Sequence, residues 1–163
     1  MKLDKVQYAA AVILVALAPP TFAHEPAAAP VHSAKLPPYA RSAAAAVDAF
    51  HAALHRGDTK TAAALLADDA VIFESGGVER SKAEYAAHHL PADAEFSKAM
   101  HSVVTNRTGN SNGNTAWIAS EGRSTGTYKG RAIDLVSTET MVFRRSGNAW
   151  KIVHIHWSSE ATK

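Results

Sequence analysis

Cysteine is absent from the 163-residue chain, which excludes disulfides, cysteine nucleophiles and thiolate metal sites. An excess of charge of either sign is also lacking, because 17 Lys and Arg stand against 15 Asp and Glu. That balance argues against a nucleic-acid or membrane-surface protein that depends on bulk charge. The motifs of serine hydrolases, phosphate loops and dinucleotide-binding loops are missing as well. Hydrophobic residues still make up 47% of the chain, enough for a packed core.

Residues 1–23 have the features of a secretory signal peptide. Lys2 and Lys5 precede an apolar run over 8–18, two prolines end that run, and 21–23 offer small residues to a signal peptidase. The run is far shorter than the ~20 residues that span a bilayer. An uncleaved membrane anchor is the alternative interpretation. We therefore expect cleavage after Ala23 and a periplasmic or secreted protein that leaves the membrane.

Residues 24–38 are rich in Ala and Pro and predict a flexible tether, so the domain is expected over 39–163. Cleavage after Ala23 makes His24 the amino terminus, where the α-amino group and the imidazole can chelate copper together. The alternative is an incidental histidine, because chelation also needs an orienting structure that a tether lacks.

Three helices are predicted in the first half of the domain. One face of the first helix carries residues at helical spacing: Val47, Phe50, His51 and Leu54. Gly57 is a stop signal, and Asp58 is an N-cap for a second helix over 61–66. A capping box at Ser81 opens the third helix, which ends before Pro91.

Strands dominate the remainder of the sequence. A short strand at 71–73 follows the second helix, and a meander of four long strands is predicted at 96–107, 115–127, 132–145 and 150–158. Helices followed by such a meander predict an α+β domain with the helices on one face of the sheet. The third long strand is half apolar on both faces, so we expect a second copy to cover the outer face and form a homodimer.

Two segments carry a family resemblance. The run LLADDAVIFESGG, from Leu65 to Gly77, resembles the first strand region of the nuclear transport factor 2-like superfamily. Residues 125–159, with the pattern W-x-I-x-H-x-H, look like the closing strands of its SnoaL-like branch. That branch includes ketosteroid isomerase-like proteins and the association domain of calcium/calmodulin-dependent kinase. The resemblance implies a cone-shaped fold with three N-terminal helices packed in a strongly curved antiparallel sheet and a pocket at its open end.

The same resemblance implies two catalytic carboxylates. The base position of the ketosteroid isomerases falls on Glu74 and the acid position on Glu139, and an apolar pocket would raise both pKa values. The tyrosine that donates to the oxyanion in the isomerases is replaced by Phe50, which has no donor. In the alternative interpretation Glu74 caps a strand end and Glu139 pairs with an arginine such as Arg123.

Two strand histidines are further catalytic candidates. His154 and His156 project from one face of the last strand, where they can shuttle a proton or hold an anion. No third ligand has diagnostic spacing, so neither a metal site nor a cofactor is predicted.

A flat ligand would be held by aromatic and apolar side chains. The candidates are Phe50, Tyr85, Trp117, Met141 and Trp157. Met141 stands where the kinase association domain has an arginine, which makes the expected pocket more apolar. Four arginines could instead bind a carboxylate ligand in a bidentate geometry: Arg123, Arg131, Arg144 and Arg145.

Two functions follow, from different classes. The first is an exported protein that binds a small apolar or aromatic molecule, with cofactor-free proton transfer of the isomerase or cyclase type if it is an enzyme. The second is a non-catalytic dimerisation or ligand-sensing module of the periplasm. The fold alone does not decide between them, because this fold hosts enzymes, binding modules and scaffolds.

Overall fold

The computed structural model describes residues 36–162. The expected signal peptide, and the tether up to residue 35, lie outside the described residues. The helices are α1 (Arg41–Arg56), α2 (Thr59–Leu65), α3 (Lys82–His88) and α4 (Leu90–Ala99). The strands are β1 (Leu66–Glu74), β2 (Gly77–Glu79), β3 (Met100–Asn112), β4 (Thr115–Tyr128), β5 (Arg131–Ser146) and β6 (Ala149–Ala161). No helix within the described part is long and apolar enough to cross a membrane.

The helix signals in the sequence act as expected at three boundaries. Gly57 ends α1 with a left-handed φ of 73°, a conformation that glycine adopts without a steric penalty. Asp58 caps α2 by accepting a hydrogen bond from the Thr61 amide at 3.0 Å. Ser81 caps α3 by accepting one from the Glu84 amide at 3.1 Å.

A fourth helix lies where the sequence predicts the beginning of a strand. The third helix ends at His88, before Pro91, but α4 starts at Leu90 and continues to Ala99. Pro91 lies in the first turn of α4, where its missing N–H breaks no helical hydrogen bond, and Leu90 and Ala94 are buried. The predicted strand start at Phe96 is therefore wrong, and β3 begins at Met100.

The sheet has six strands in the order β2-β1-β6-β5-β4-β3. All pairings are antiparallel except that of β1 with β6, which is parallel. The sheet is thus mixed, because α3 and α4 carry the chain to the far edge and the meander returns to β1 in the same direction. The α+β class and the curved sheet around the helices are confirmed.

One row of directly paired residues crosses the sheet and positions the site. Arg107 pairs with Ser120, Ser120 with Glu139, Glu139 with Trp157 and Trp157 with Glu74. Directly paired residues point to the same side of a sheet, so all five side chains project from its inner face, which packs against the helices. The core on this face contains Phe50, Tyr85, Ile118, Met141, Phe143 and Ile155, all fully buried.

Candidate functional site

A cleft of about 460 Å³ opens between α1 and the inner face of β3, β4 and β5. Asp48, His51 and His55 line its helical wall, and Glu139, Arg107 and Trp157 lie on the opposite wall. Its floor contains small residues, namely Ser102, Ser120, Gly122, Ser124 and Ser137. These short side chains leave the space that larger residues would fill, so the cleft can admit a small molecule.

Glu139 is the buried acceptor of this cleft. Its residue is 8% exposed, and its Oε2 accepts hydrogen bonds from His51 Nε2 at 2.6 Å and from Trp157 Nε1 at 2.7 Å. Its Oε1 has no hydrogen-bond partner among residues 36–162. Burial raises the pKa of the Glu139 carboxyl, but the hydrogen bond and charge of His51, the Trp157 indole and Arg107 together hold that pKa below its usual range. Glu139 is therefore an ionised acceptor at neutral pH.

His51 connects this carboxylate to the open space. Its side chain is 43% exposed and lines the cleft, so one edge of the ring meets Glu139 and the other is accessible. A neutral imidazole carries one N–H. In the neutral ring Nε2 donates to the ionised Glu139 and the lone pair of Nδ1 is free to accept a proton; the imidazolium formed in this way carries the positive charge that lowers the Glu139 pKa. Phe50 holds the ring from the side, with an edge contact at 5.8 Å between ring centroids.

Arg107 is fixed on the same wall by two acceptors. Its Nε donates to Ser120 Oγ at 3.1 Å, and its Nη1 donates to Asp48 Oδ1 at 2.6 Å. The side chain of Arg107 is 14% exposed, whereas that of Asp48 is 66% exposed. A guanidinium group is therefore held in one orientation at the cleft wall.

The two predicted catalytic carboxylates lie in one row of the sheet but on opposite sides of Trp157. The Trp157 ring packs between Phe50, with centroids 6.3 Å apart, and Tyr85, with centroids 6.4 Å apart. Glu139 lies on the cleft side of this ring. Glu74 lies on the other side, near the Tyr85–Asp93 pair, and is not among the residues that line the cleft.

A second group of titratable side chains, Glu74, Tyr85 and Asp93, has raised pKa values. The Tyr85 hydroxyl donates to Asp93 Oδ2 at 2.6 Å, and burial raises the pKa of both side chains. Glu74 is exposed as a whole residue, yet its carboxyl lies near this buried pair. Desolvation there, followed by the charge of Asp93, raises the pKa of Glu74 to about 7. His89 contacts the buried Glu79 at the edge of the same region.

The predicted strand histidines face away from the cleft. His156 pairs with Thr140, one position along from the Glu139–Trp157 pair, so it projects from the outer face of the sheet. His154 shares that face and contacts the Val71 carbonyl oxygen through Nδ1 at 2.9 Å. Both rings pack against Phe73 in a T-shaped arrangement. The structure therefore does not bring the strand histidines together with Glu139.

The five predicted ligand-binding residues occupy different environments. Trp157 lines the cleft, and Phe50 packs behind it, fully buried. Tyr85 and Met141 are also fully buried. Trp117 is 41% exposed and lies on the outer face, where it pairs with Val142.

Three of the four arginines singled out from the sequence have partners other than a ligand. Arg123 binds both carboxylate oxygens of Asp134, so the expected pairing of Arg123 with Glu139 is wrong. Arg144 binds Asp69 in the same two-pronged way. Arg145 lies over the Trp150 ring.

Sequence reasoning missed the roles of His51 and Arg107. The helical spacing places His51 on the apolar face of the first helix, and a histidine within an apolar stripe is itself a signal of a polar partner. Arg107 carried no such signal, because its acceptors lie 13 and 59 positions away in the sequence. Within the described part of the chain, no group of three or more His, Asp or Glu side chains could hold a metal ion.

Comparisons with known proteins agree with this architecture. The sequence profile of the SnoaL-like domain matches residues 43–162. The crystal structure of a candidate ketosteroid isomerase from Shewanella frigidimarina is 37% identical, with a TM-score of 0.69, and the match covers 72% of this chain and 94% of that one. A candidate calcium/calmodulin-dependent protein kinase II association domain from Xanthomonas campestris is 27% identical, with a TM-score of 0.63 and coverages of 74% and 87%. A candidate dehydratase of the NTF2-like family from Streptomyces avermitilis, at 21% identity, a TM-score of 0.62 and coverages of 76% and 98%, shares the fold. The search of curated proteins finds no significant match.

Proposed function

Because the chain belongs to the SnoaL-like domain family, we propose that it binds a small molecule in the cleft and moves a proton next to a carbonyl group, as an isomerase or cyclase does. The observation that carries this proposal is the hydrogen bond of 2.6 Å between His51 Nε2 and the buried, ionised Glu139 inside an open cleft. The similarity to the candidate ketosteroid isomerase from Shewanella frigidimarina supports the same class of reaction.

In the proposed reaction His51 is the general base. Nδ1 takes a proton from the carbon beside the carbonyl, the C–H bond breaks, and its electron pair moves onto the carbonyl oxygen to give an enolate. The imidazolium then returns the proton to the same or a conjugated carbon. Glu139 holds the ring in the Nε2–H form and stabilises the positive charge, while serine hydroxyls of the floor can donate to the enolate oxygen. This scheme needs no cofactor, and it replaces Glu74 by His51 as the base.

The experiment follows proton exchange, which does not require the natural substrate. The full chain is incubated in D₂O with 2-tetralone, a neutral aromatic ketone with acidic α-hydrogens, and the loss of the α-proton NMR signal is measured. We expect exchange above the buffer rate, and a fall of about 100-fold or more in His51→Gln, the range for loss of a general base. His88→Gln, at an exposed position on α3, is the matched control and should exchange at the wild-type rate. Equal exchange in wild type and His51→Gln would remove His51 as the base.

A non-catalytic dimerisation module is a second candidate, and the outer face of the sheet favours it. Phe73, Trp117 and Val136 on this face are 40%, 41% and 46% exposed. Large apolar side chains exposed on one face of a sheet favour a protein–protein contact there. We propose a homodimer through this face, and light scattering after gel filtration tests it. Trp117→Lys should convert a dimer to a monomer, whereas Ala87→Lys, on the exposed side of α3, should remain dimeric; a monomeric wild type would refute the proposal.

Export is the third part of the proposal and rests on the composition of residues 1–23. The intact mass of the protein from the cell envelope or culture fluid should correspond to a chain that begins at His24. A mass that retains residues 1–23 would contradict cleavage after Ala23.

A further inference from the structure

The guanidinium group of Arg107 is presented to the cleft with one nitrogen still available. Nε and Nη1 are occupied by Ser120 and Asp48, whereas Nη2 has no hydrogen-bond partner among residues 36–162. The only buried side-chain N or O atom without a partner in that range is Asn106 Oδ1, so Nη2 is accessible to solvent. Because two bonds already fix the guanidinium plane, a ligand can bind it without ordering a flexible side chain.

Arg107 and the proposed base lie on the same part of the cleft. Arg107, Ser120 and Glu139 are directly paired on three neighbouring strands, so the backbones of Arg107 and Glu139 lie about 10 Å apart. The hydrogen bond from Nε to Ser120 Oγ carries the Arg107 head group across the intervening strand toward Glu139. On α1, Asp48 and His51 are three residues apart and are therefore neighbours on one face of the helix. Asp48 binds Arg107, and His51 binds Glu139. A small molecule can thus reach His51 and Arg107 together.

The surrounding charges favour a single negative charge on that molecule. Asp48 and Glu139 also line the cleft and would repel a dianion such as a phosphate monoester more strongly than a monoanion. Arg123 pairs with Val136 on β5 and therefore projects from the outer face, where Asp134 binds it. Ala52, Met100 and Val104 supply an apolar wall for a ring or a short hydrocarbon body.

We infer that Arg107 is the anion anchor of the cleft, and that the ligand class is a small organic acid whose carboxylate binds Arg107 while its apolar body lies along the serine floor beside His51. This inference deepens the proposed function, since it names the substrate class of the same cleft. Arg123 and Arg144 are also candidates from the sequence for binding a carboxylate ligand. Each of them already makes a bidentate pair with an aspartate of the chain itself.

The test uses benzoate and its uncharged analogue benzamide as probes, in NMR titrations of the full chain at low salt. We expect benzoate to shift the resonances of cleft residues and to bind at least tenfold more tightly than benzamide. Arg107→Met should reduce the benzoate affinity to the level of benzamide. Arg144→Met, which removes an equally charged arginine with its own aspartate partner outside the cleft, should leave the benzoate affinity unchanged. Arg107→Lys keeps the positive charge but lacks the planar guanidinium group, and it should give an intermediate benzoate affinity.

Three results would overturn the anchor: equal affinities for benzoate and benzamide in the wild type, unchanged benzoate binding in folded Arg107→Met, or equal losses in Arg107→Met and Arg144→Met. The comparison in the wild type needs no variant, so it decides the question even if Arg107→Met fails to fold. Benzoate has no α-hydrogen, and 2-tetralone has no charge. Failure of the anchor and failure of proton transfer are therefore separate results.

Discussion

Replacing Glu139 by Gln isolates the negative charge at the centre of the site. The two donors, His51 Nε2 and Trp157 Nε1, converge on one oxygen, Oε2. A glutamine amide oxygen in the same place can accept both hydrogen bonds, so the variant keeps the shape and the bonds and loses only the charge. The carboxylate is 8% exposed, and water therefore offers little compensation.

The magnitude follows from the two hydrogen bonds. A bond to a charged group contributes about 1.5–3 kcal/mol and a neutral one about 1 kcal/mol, while the lower burial cost of an amide offsets part of the difference. We expect Glu139→Gln to lower the free energy of unfolding by about 1–3 kcal/mol at pH 7. Glu139→Ala should cost more, because the Trp157 indole then loses its acceptor.

The pH dependence gives the sign of the effect. Folding lowers the pKa of Glu139 from its ordinary value of 4.5, so its ionisation stabilises the fold above pH 4.5, and this contribution is lost as the pH falls through the lowered folded value. Urea unfolding of wild type and Glu139→Gln should therefore differ at pH 7 and converge in acid. Glu160→Gln, an exposed position on β6, should match the wild type at pH 7 within about 0.5 kcal/mol. A difference that is constant with pH, or a variant more stable than the wild type at pH 7, would refute the charge argument.

The remaining predictions concern other parts of the same inner face. Folding raises the pKa of Glu74 from 4.5 to about 7, so the folded chain holds a proton that the unfolded chain releases, and stability should fall as the pH rises through this window. Glu74→Gln should remove that fall and be the more stable protein at pH 8, with no gain at pH 4; urea unfolding at both values checks it, and a loss of stability at pH 8 would contradict it. Ser137→Leu should fill the cleft and slow 2-tetralone exchange while the melting temperature changes little; unchanged exchange would mean that the ligand binds elsewhere. Asp58→Ala should cost about 1 kcal/mol in urea unfolding, because α2 loses its N-cap, and a neutral result would remove that cap from the account.

Local signals predicted the parts of the fold that local physics decides. Gly57, Asp58 and Ser81 mark helix ends through backbone conformation and capping, and each acts over a few residues. The existence of α4 was not visible in this way, because Pro91 reads as a stop signal and equally suits a first turn. The parallel pairing of β1 with β6 joins segments about 80 residues apart, and no short pattern encodes it.

The candidate site shows the same division. The resemblance to the ketosteroid isomerases directed attention to Glu139, and a tryptophan near the end of the last strand pointed to Trp157. The partner of Glu139, His51, lies 88 positions away on α1, and no local pattern in the sequence links the two residues. The placement of His154 and His156 depends on the register of β6 against β5, which alternation alone leaves open until the strands are paired.

The measurement that tests the central claim most directly is the position of the proton on the His51 ring. Nitrogen NMR of ¹⁵N-histidine-labelled protein, with His51→Gln used to assign the signal, distinguishes the two ring nitrogens when the imidazole is neutral. The account predicts a proton on Nε2, donated to Glu139, and a bare Nδ1 facing the cleft. A neutral ring with its proton on Nδ1 would contradict it, because Nδ1 would then have no lone pair to act as the base.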